Sequence, residues 1–179
     1  MGTGIISTAI KKDKADQRIV KKATDVMTTL NDSAADFAHK YEANAVTDIT
    51  GFGLFGHLSE MLKNTNLGAR IDIKSIPIIE GVTELILDGF FSSGSQRNLE
   101  HVSELMIDNV RDKNLLKLCC DAQTSGGLLI SIPQSQKIDI TEIKATMGLE
   151  LWEIGEINTE YIEKINICLL YTSPSPRDH

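Results

Sequence analysis

Cysteine is scarce in this chain of 179 residues: Cys119, Cys120 and Cys168 are all there is. Three cysteines cannot all pair, and the adjacent Cys119 and Cys120 are poor partners for one another. No C-x-x-C spacing of a zinc site occurs. A reducing, cytoplasmic compartment is expected. Long apolar runs are absent too. None reaches the about twenty residues that a membrane-spanning helix needs, and Lys11 to Lys22 is too charged for a secretory leader. Positive charge is in deficit. Lys and Arg number 18 against 25 Asp and Glu, a formal net charge of −7. Non-specific nucleic-acid binding requires a basic face and is excluded on that balance. His39, His57, His101 and His179 form no metal-ligand constellation. The hydrophobic share, 41 %, is enough for one sizeable core, and the length supports one domain.

What is present is one organising stretch, Thr47-Asp48-Ile49-Thr50-Gly51-Phe52-Gly53-Leu54-Phe55-Gly56-His57. The largely apolar run Ala43 to Ile49 leads in and reads as a strand. Two glycines then punctuate the chain. Phe55, Leu58, Met61 and Leu62 follow at helical spacing. Strand, tight turn and helix in that order place backbone N–H groups at a helix start, where anions bind. Asp48 stands at the strand's end, facing the same place. A carboxylate beside an anion needs a cation between them. Mg²⁺, held by one or two carboxylates and by phosphate oxygens, meets that need. Two other readings stand beside this one. Gly51, Gly53 and Gly56 fit G-x-G-x-x-G, with Asp72 about twenty residues on, as in a dinucleotide fold. Against it, Asp48 would set a bare carboxylate against the pyrophosphate. The third reading is a plain strand-to-helix turn in which Asp48 caps the helix.

Gly4–Ala9 reads as a strand that opens with neither leader nor cap, which suggests a segment upstream. Ile19, Val20, Ala23, Val26, Met27 and Leu30 mark one helix face, and Ala34, Phe37, Ala38 and Tyr41 a second. Ala69–Ile73 alternates as a half-buried strand. Val82 to Leu87 and Lys113 to Cys120 read as short helices. Gly89 to Asn98 reads as a loop before a helix at Leu99 to Ile107. Its Arg97 either clamps an anion bidentately or is a solvated surface residue. A second turn, Asp121-Ala122-Gln123-Thr124-Ser125-Gly126-Gly127, is either an oxyanion cradle or an ordinary loop. It feeds the strand Leu128–Ile132. A helix on Ile140, Ile143 and Met147, a strand at Leu151–Ile157 and a last edge strand from Tyr161 to Ile167 complete the pattern. His57 and Glu60, one turn apart, are either a ligand pair or a solvated hydrogen bond. Phe52 and Trp152 are expected in the core. From Cys168 onward periodicity is lost and the chain reads as coil. Residues 168–179 resemble the translated adaptor at the ends of some environmental gene fragments and are set aside as non-native.

Taken in order, Gly2-Thr3-Gly4-Ile5-Ile6, Thr47 to His57, Gly94-Ser95-Gln96-Arg97-Asn98 and Asp121 to Leu129 resemble the C-terminal domain of the selenophosphate synthetase (selenide, water dikinase) family. The match runs from about residue 2 to 157 and places the chain in the aminoimidazole ribonucleotide synthetase-like superfamily. Ser93-Gly94-Ser95 stands where that family usually has Gly-Gly-Thr, and Ala122 where it often has Pro. The resemblance implies an enzyme that converts ATP, selenide and water to selenophosphate, AMP and phosphate with Mg²⁺. It implies that the nucleotide lies between an N-terminal domain and this one, and that Asp48 contributes to the metals bridging the ATP phosphates. The nucleophilic Cys or selenocysteine and its Lys belong to the N-terminal domain, so no catalytic residue is assigned in this chain and the fragment alone is expected to be inactive.

The expectations are therefore these. Residues 1–167 form an α/β two-layer domain, a mixed β-sheet with helices mainly on one face, like the C-terminal domain of aminoimidazole ribonucleotide synthetase. Asp48 is the metal ligand. Thr47, Thr50, Gly51, Gly53, Arg97, Asn98, Gln123, Thr124, Ser125 and Gly126 face the phosphates or nucleotide. ATP and selenide are the substrates, the missing N-terminal domain is the partner, and the intact protein is a homodimer. Neither nucleic acid nor membrane is a partner. Two alternatives remain open: a non-catalytic binding or dimerisation module, and a related superfamily member.

Overall fold

The structure is a computed structural model and describes residues 1–168 other than 109, 111 and 137. In chain order the elements are α1 (Thr3–Ile10), α2 (Gln17–Thr28), α3 (Asp32–Lys40), β1 (Ala45–Asp48), α4 (Gly53–Leu62), β2 (Gly68–Asp72), a 3-10 turn (Ile73–Ser75), α5 (Val82–Leu87), α6 (Ser93–Ser103), β3 (Met106–Asp108), α7 (Lys113–Cys119), β4 (Leu128–Ser131), α8 (Ile140–Met147), β5 (Gly155–Asn158) and β6 (Ile165–Cys168). The chain is an α/β domain with a mixed sheet, as the sequence predicts.

Four strands make that sheet in the order β3-β6-β2-β5. β6 runs parallel to both β3 and β2, and β5 is antiparallel to β2. Ile165 and Ile167, two apart on β6, are fully buried and share a core with Ala69 and Ile71 of β2. α4 lays Leu54, Phe55, Leu58 and Leu62 into the same core, the i, i+1, i+4, i+8 stripe of a helix with one buried face. A second core gathers Ile5, Ile6 and Ala9 of α1, Ala23 of α2 and Val82, Leu85 and Ile86 of α5. β1 and β4 form a separate antiparallel ribbon, with Ala45 opposite Ser131 and Asp48 opposite Leu128.

Several local expectations are corrected. Gly4–Ala9 is not a strand but most of α1. Its first amides are capped by side chains more than a hundred residues away: Gln123 Oε1 accepts from Gly2 N and Thr3 N, and Asp121 Oδ2 from Gly4 N and Ile5 N. No local signal announces a helix capped from such a distance. The expected edge strand at Tyr161–Ile167 is β6, and it lies inside the sheet. The helix expected to reach Ile107 ends at Ser103, and Met106–Asp108 pairs with β6 as β3. Only the end of Leu151–Ile157 is strand, because β5 begins at Gly155. Phe52 and Trp152, expected in the core, are 61 % and 54 % exposed. Cys168 closes β6, and residues 169–179 of the expected tail lie outside the described residues.

Burial orders the sheet energetically. Ile165→Ala on the inner strand is expected to cost about 2–5 kcal/mol, the usual range for truncating a fully buried aliphatic side chain. Ile107→Ala, on edge strand β3 and 39 % exposed, is expected to cost clearly less. Urea denaturation of the two variants checks the order.

Candidate functional site

The β1–β4 ribbon delivers both suspected turns to one end. Asp48 closes β1 opposite Leu128, which opens β4. The pairing then continues past the strands. Ile49 N donates to Gly127 O at 2.9 Å, Gly126 N donates to Ile49 O at 2.9 Å, and Gln123 N donates to Thr50 O at 2.9 Å. Thr47 to Gly53 and Gln123 to Gly126 therefore lie side by side. Asp48 is exposed, and its carboxylate has no hydrogen-bond or ion-pair partner among the described residues. α4 begins after Phe52 with no side-chain cap, so Asp48 does not serve as one. Thr47 is half-buried, and its hydroxyl donates to Asp48 O at 3.4 Å.

The turn after Asp48 is held from several sides. Thr50 N donates to His57 Nε2 at 3.1 Å, and the Thr50 hydroxyl lies 3.1 Å from the same nitrogen. An amide N–H can only donate, so Nε2 is the acceptor in this bond. His57 thus meets Thr50 and not Glu60. The Glu60 carboxylate lies 3.6 Å from the Lys63 ammonium instead. Thr50 O accepts from Gly53 N at 3.0 Å as well as from Gln123 N. Asn98, on α6, donates through Nδ2 to Gly51 O at 2.8 Å and to Cys120 O at 3.1 Å. The amides of Gly51 and Phe52 find no acceptor among the described residues, and both residues are exposed. Gly53 has φ +71°, and a Cβ there would meet Cys120 C at 2.7 Å and its O at 2.9 Å. Gly51 is the opposite case: a Cβ there meets nothing within 4 Å.

Behind the turn sits a buried polar hub that the sequence did not flag. Asp121 is fully buried. Its Oδ2 accepts from Gly4 N, Ile5 N and Gln123 Nε2, and its Oδ1 from Ser95 Oγ at 2.9 Å. Burial raises the Asp121 pKa above the ordinary carboxylate value and outweighs these hydrogen bonds, each of which acts to lower it. Gln123 is spent on the same hub: its Oε1 serves Gly2, Thr3 and the Thr3 hydroxyl, its Nε2 serves Asp121. Ser95, Thr3 and His57 join it as site-building residues absent from the expected set. The D-x-Q spacing ahead of the Thr124-Ser125-Gly126 turn was the available signal for Asp121.

The remaining candidates divide. Thr124 is exposed, with its amide bonded to Thr3 Oγ1 at 3.0 Å. Ser125 has φ 50°, an unusual conformation for a residue with a side chain. Arg97 is exposed within α6, not in a loop before it; the helix starts early because Ser92 Oγ accepts from Ser95 N. Among the described residues no group of three His, Cys, Asp or Glu side chains could hold a metal. The lone carboxylate of Asp48 fits Mg²⁺ as one ligand of a sphere completed by phosphate oxygens and by groups from elsewhere.

Comparison with known proteins bears on most of the chain. The family model described as AIR synthase related protein, C-terminal domain, matches residues 2–167. Selenide, water dikinase of Escherichia coli (strain K12) is 39 % identical over 157 residues, covering 88 % of this chain and 45 % of the relative. Selenide, water dikinase of Myxococcus xanthus (strain DK1622) is 40 % identical over 164 residues, covering 88 % and 46 %. The chain thus spans a little under half the length of the curated relatives it matches. Among solved structures, thiamine monophosphate kinase from Aquifex aeolicus aligns over 82 % of this chain and 38 % of its own, with a TM-score of 0.45 and 18 % identity.

The two glycines predict opposite outcomes. Gly53→Ala is expected to lower stability by about 1–3 kcal/mol through its left-handed backbone and its contact with Cys120. Gly51→Ala is expected to leave stability unchanged; thermal unfolding of both variants checks this. Asp121 sets a pH dependence of definite sign. Its raised pKa means that the folded chain holds the proton more tightly than the unfolded one. The stability it contributes is therefore fully present below the ordinary aspartate pKa, about 4, and is lost as pH rises through the folded-state value. Wild-type stability minus that of Asp121→Asn should fall across this window in urea titrations at several pH values.

Proposed function

This chain belongs to the AIR synthase related family through its C-terminal domain, and on that premise we propose that it is the C-terminal half of an enzyme making selenophosphate from ATP, selenide and water, with release of AMP and phosphate. The observation that carries the reading is Asp48: an exposed carboxylate with no partner among the described residues, two residues ahead of a turn whose Gly51 and Phe52 amides have no acceptor among them. The identity to selenide, water dikinases along 88 % of the chain supports it.

In this reading Asp48 holds one position on Mg²⁺, and the metal, when bound, neutralises phosphate charge. Gly51 and Gly53 shape the turn that meets the phosphates, and Thr47, Thr50, Thr124, Ser125 and Gly126, on the two paired turns, are assigned to the same nucleotide-facing side. Arg97, free of any ion pair among the described residues, supplies positive charge on α6. Asn98 and Gln123 shape this surface through the backbone bonds already described. Phosphoryl transfer relies mainly on positioning and charge neutralisation. The nucleophile belongs to an N-terminal half, so the isolated chain is inactive. The joined protein is read as a cytoplasmic homodimer; among the described residues no helix is long and apolar enough to cross a membrane.

Asp48→Asn, in this chain joined to its N-terminal half, is expected to lower selenophosphate formation by about 10²–10³-fold, the scale of losing one electrostatic contact to the transition state. Mg²⁺-dependent ATP binding should weaken with it. Turnover is read by ³¹P NMR of the product and binding by calorimetry; wild-type values for both would refute the role.

A further inference from the structure

Two peptide planes in the turn after Asp48 are oriented by their carbonyls. In the Thr50–Gly51 plane, Thr50 O accepts from Gly53 N and Gln123 N. In the Gly51–Phe52 plane, Gly51 O accepts from Asn98 Nδ2 at 2.8 Å. A planar trans peptide points its C=O and N–H in opposite directions. Pinning each carbonyl against the body of the domain therefore aims the amides of Gly51 and Phe52 away from it. Those are the two amides of the turn left without an acceptor among the described residues. Backbone donors hold the first plane. One side chain holds the second, and its other bond, to Cys120 O at 3.1 Å, fixes the Asn98 amide group itself. Both residues are exposed, and a Cβ built on Gly51 would meet nothing within 4 Å.

We infer that Asn98 is a positioning residue: by pinning the Gly51 carbonyl it aims the Phe52 N–H at the phosphate chain of the nucleotide. The inference rests on the reading of this turn as a nucleotide-phosphate site. It gives Asn98 a role exerted through the backbone and not by contact with the nucleotide.

The test uses the full-length protein, this chain joined to its N-terminal half. In ¹⁵N-labelled protein, Mg-ATP is expected to shift the Gly51 and Phe52 amide resonances further than those of Ile49 and Thr50, whose N–H groups are already bonded internally. A Phe52 amide unmoved at saturating ATP overturns the inference, whatever any variant does. Asn98→Ala should raise KM for ATP about tenfold, the worth of one hydrogen bond to a charged group, with little change in kcat. Asn98→Asp keeps the shape but presents no donor to Gly51 O, and it should raise KM likewise and displace the Phe52 resonance before ATP is added. Variants that lower the unfolding midpoint yet keep the wild-type KM overturn the role. Wild-type protein that binds ATP with the Phe52 shift but makes no selenophosphate would remove the proposed reaction and leave the positioning role standing. Failure to bind ATP at all would remove both.

Discussion

One buried carboxylate holds this domain's functional end together. Asp121 has no access to solvent, and an ionised group in that position is tolerated only with its hydrogen bonds complete. Its four donors come from three separate parts of the chain: the first turn of α1, Ser95 on α6 and Gln123 in the turn before β4. The bonds are mutually dependent. Gln123 caps α1 with one end of its amide and braces Asp121 with the other, while its backbone N–H holds Thr50. Ser95 bonds Asp121 and also accepts from Ala122 N at 3.0 Å. The two glycine turns are thus set against one rigid support.

That support explains why an exposed turn can present unpaired groups in a defined way. From Ile49 to Gly51 every backbone carbonyl, together with the Ile49 and Thr50 amides, is bonded within the domain. Among the described residues, the Gly51 and Phe52 amides and the Asp48 side chain are left without partners. A flexible loop with the same composition would spend part of any binding energy on ordering itself. Here the ordering is already done by folding, through the backbone of Gln123, Gly126 and Gly127 and the side chains of His57 and Asn98. The proposed division of labour between this half and an N-terminal half would use such a surface for orientation and one ligand rather than as a complete site.

Much of this was legible in the sequence, and the failures have a common cause. The strand, glycine turn and helix from Ala43 to Lys63 could be read because each is specified by neighbours: an apolar run, two glycines and a 3.6-residue stripe. β2 and β4 were readable for the same reason. Gly4–Ala9 was not, because its helix depends on caps supplied by Asp121 and Gln123. β6 looked like an edge because its two parallel partners, β2 and β3, are far away in the chain. Phe52 and Trp152 were placed inside on account of their size, but both lie outside regular elements, Phe52 just ahead of α4 and Trp152 just ahead of β5. Asn98 and Gln123 were read as facing the nucleotide, but their side chains are committed to distant groups within the domain that no spacing rule connects to them.

The distance between α1 and its caps also bears on how the domain is made. Gly4 and Asp121 are 117 residues apart, and Gly2 and Gln123 are 121 apart. An isolated helix as short as α1 is marginal in water, so a nascent chain emerging from the ribosome exposes Ile5 and Ile6 long before anything can terminate their helix. Closing so wide a loop comes after the local elements have condensed. Until Asp121 and Gln123 arrive, Ile5 and Ile6 stay open to a chaperone or to misassociation.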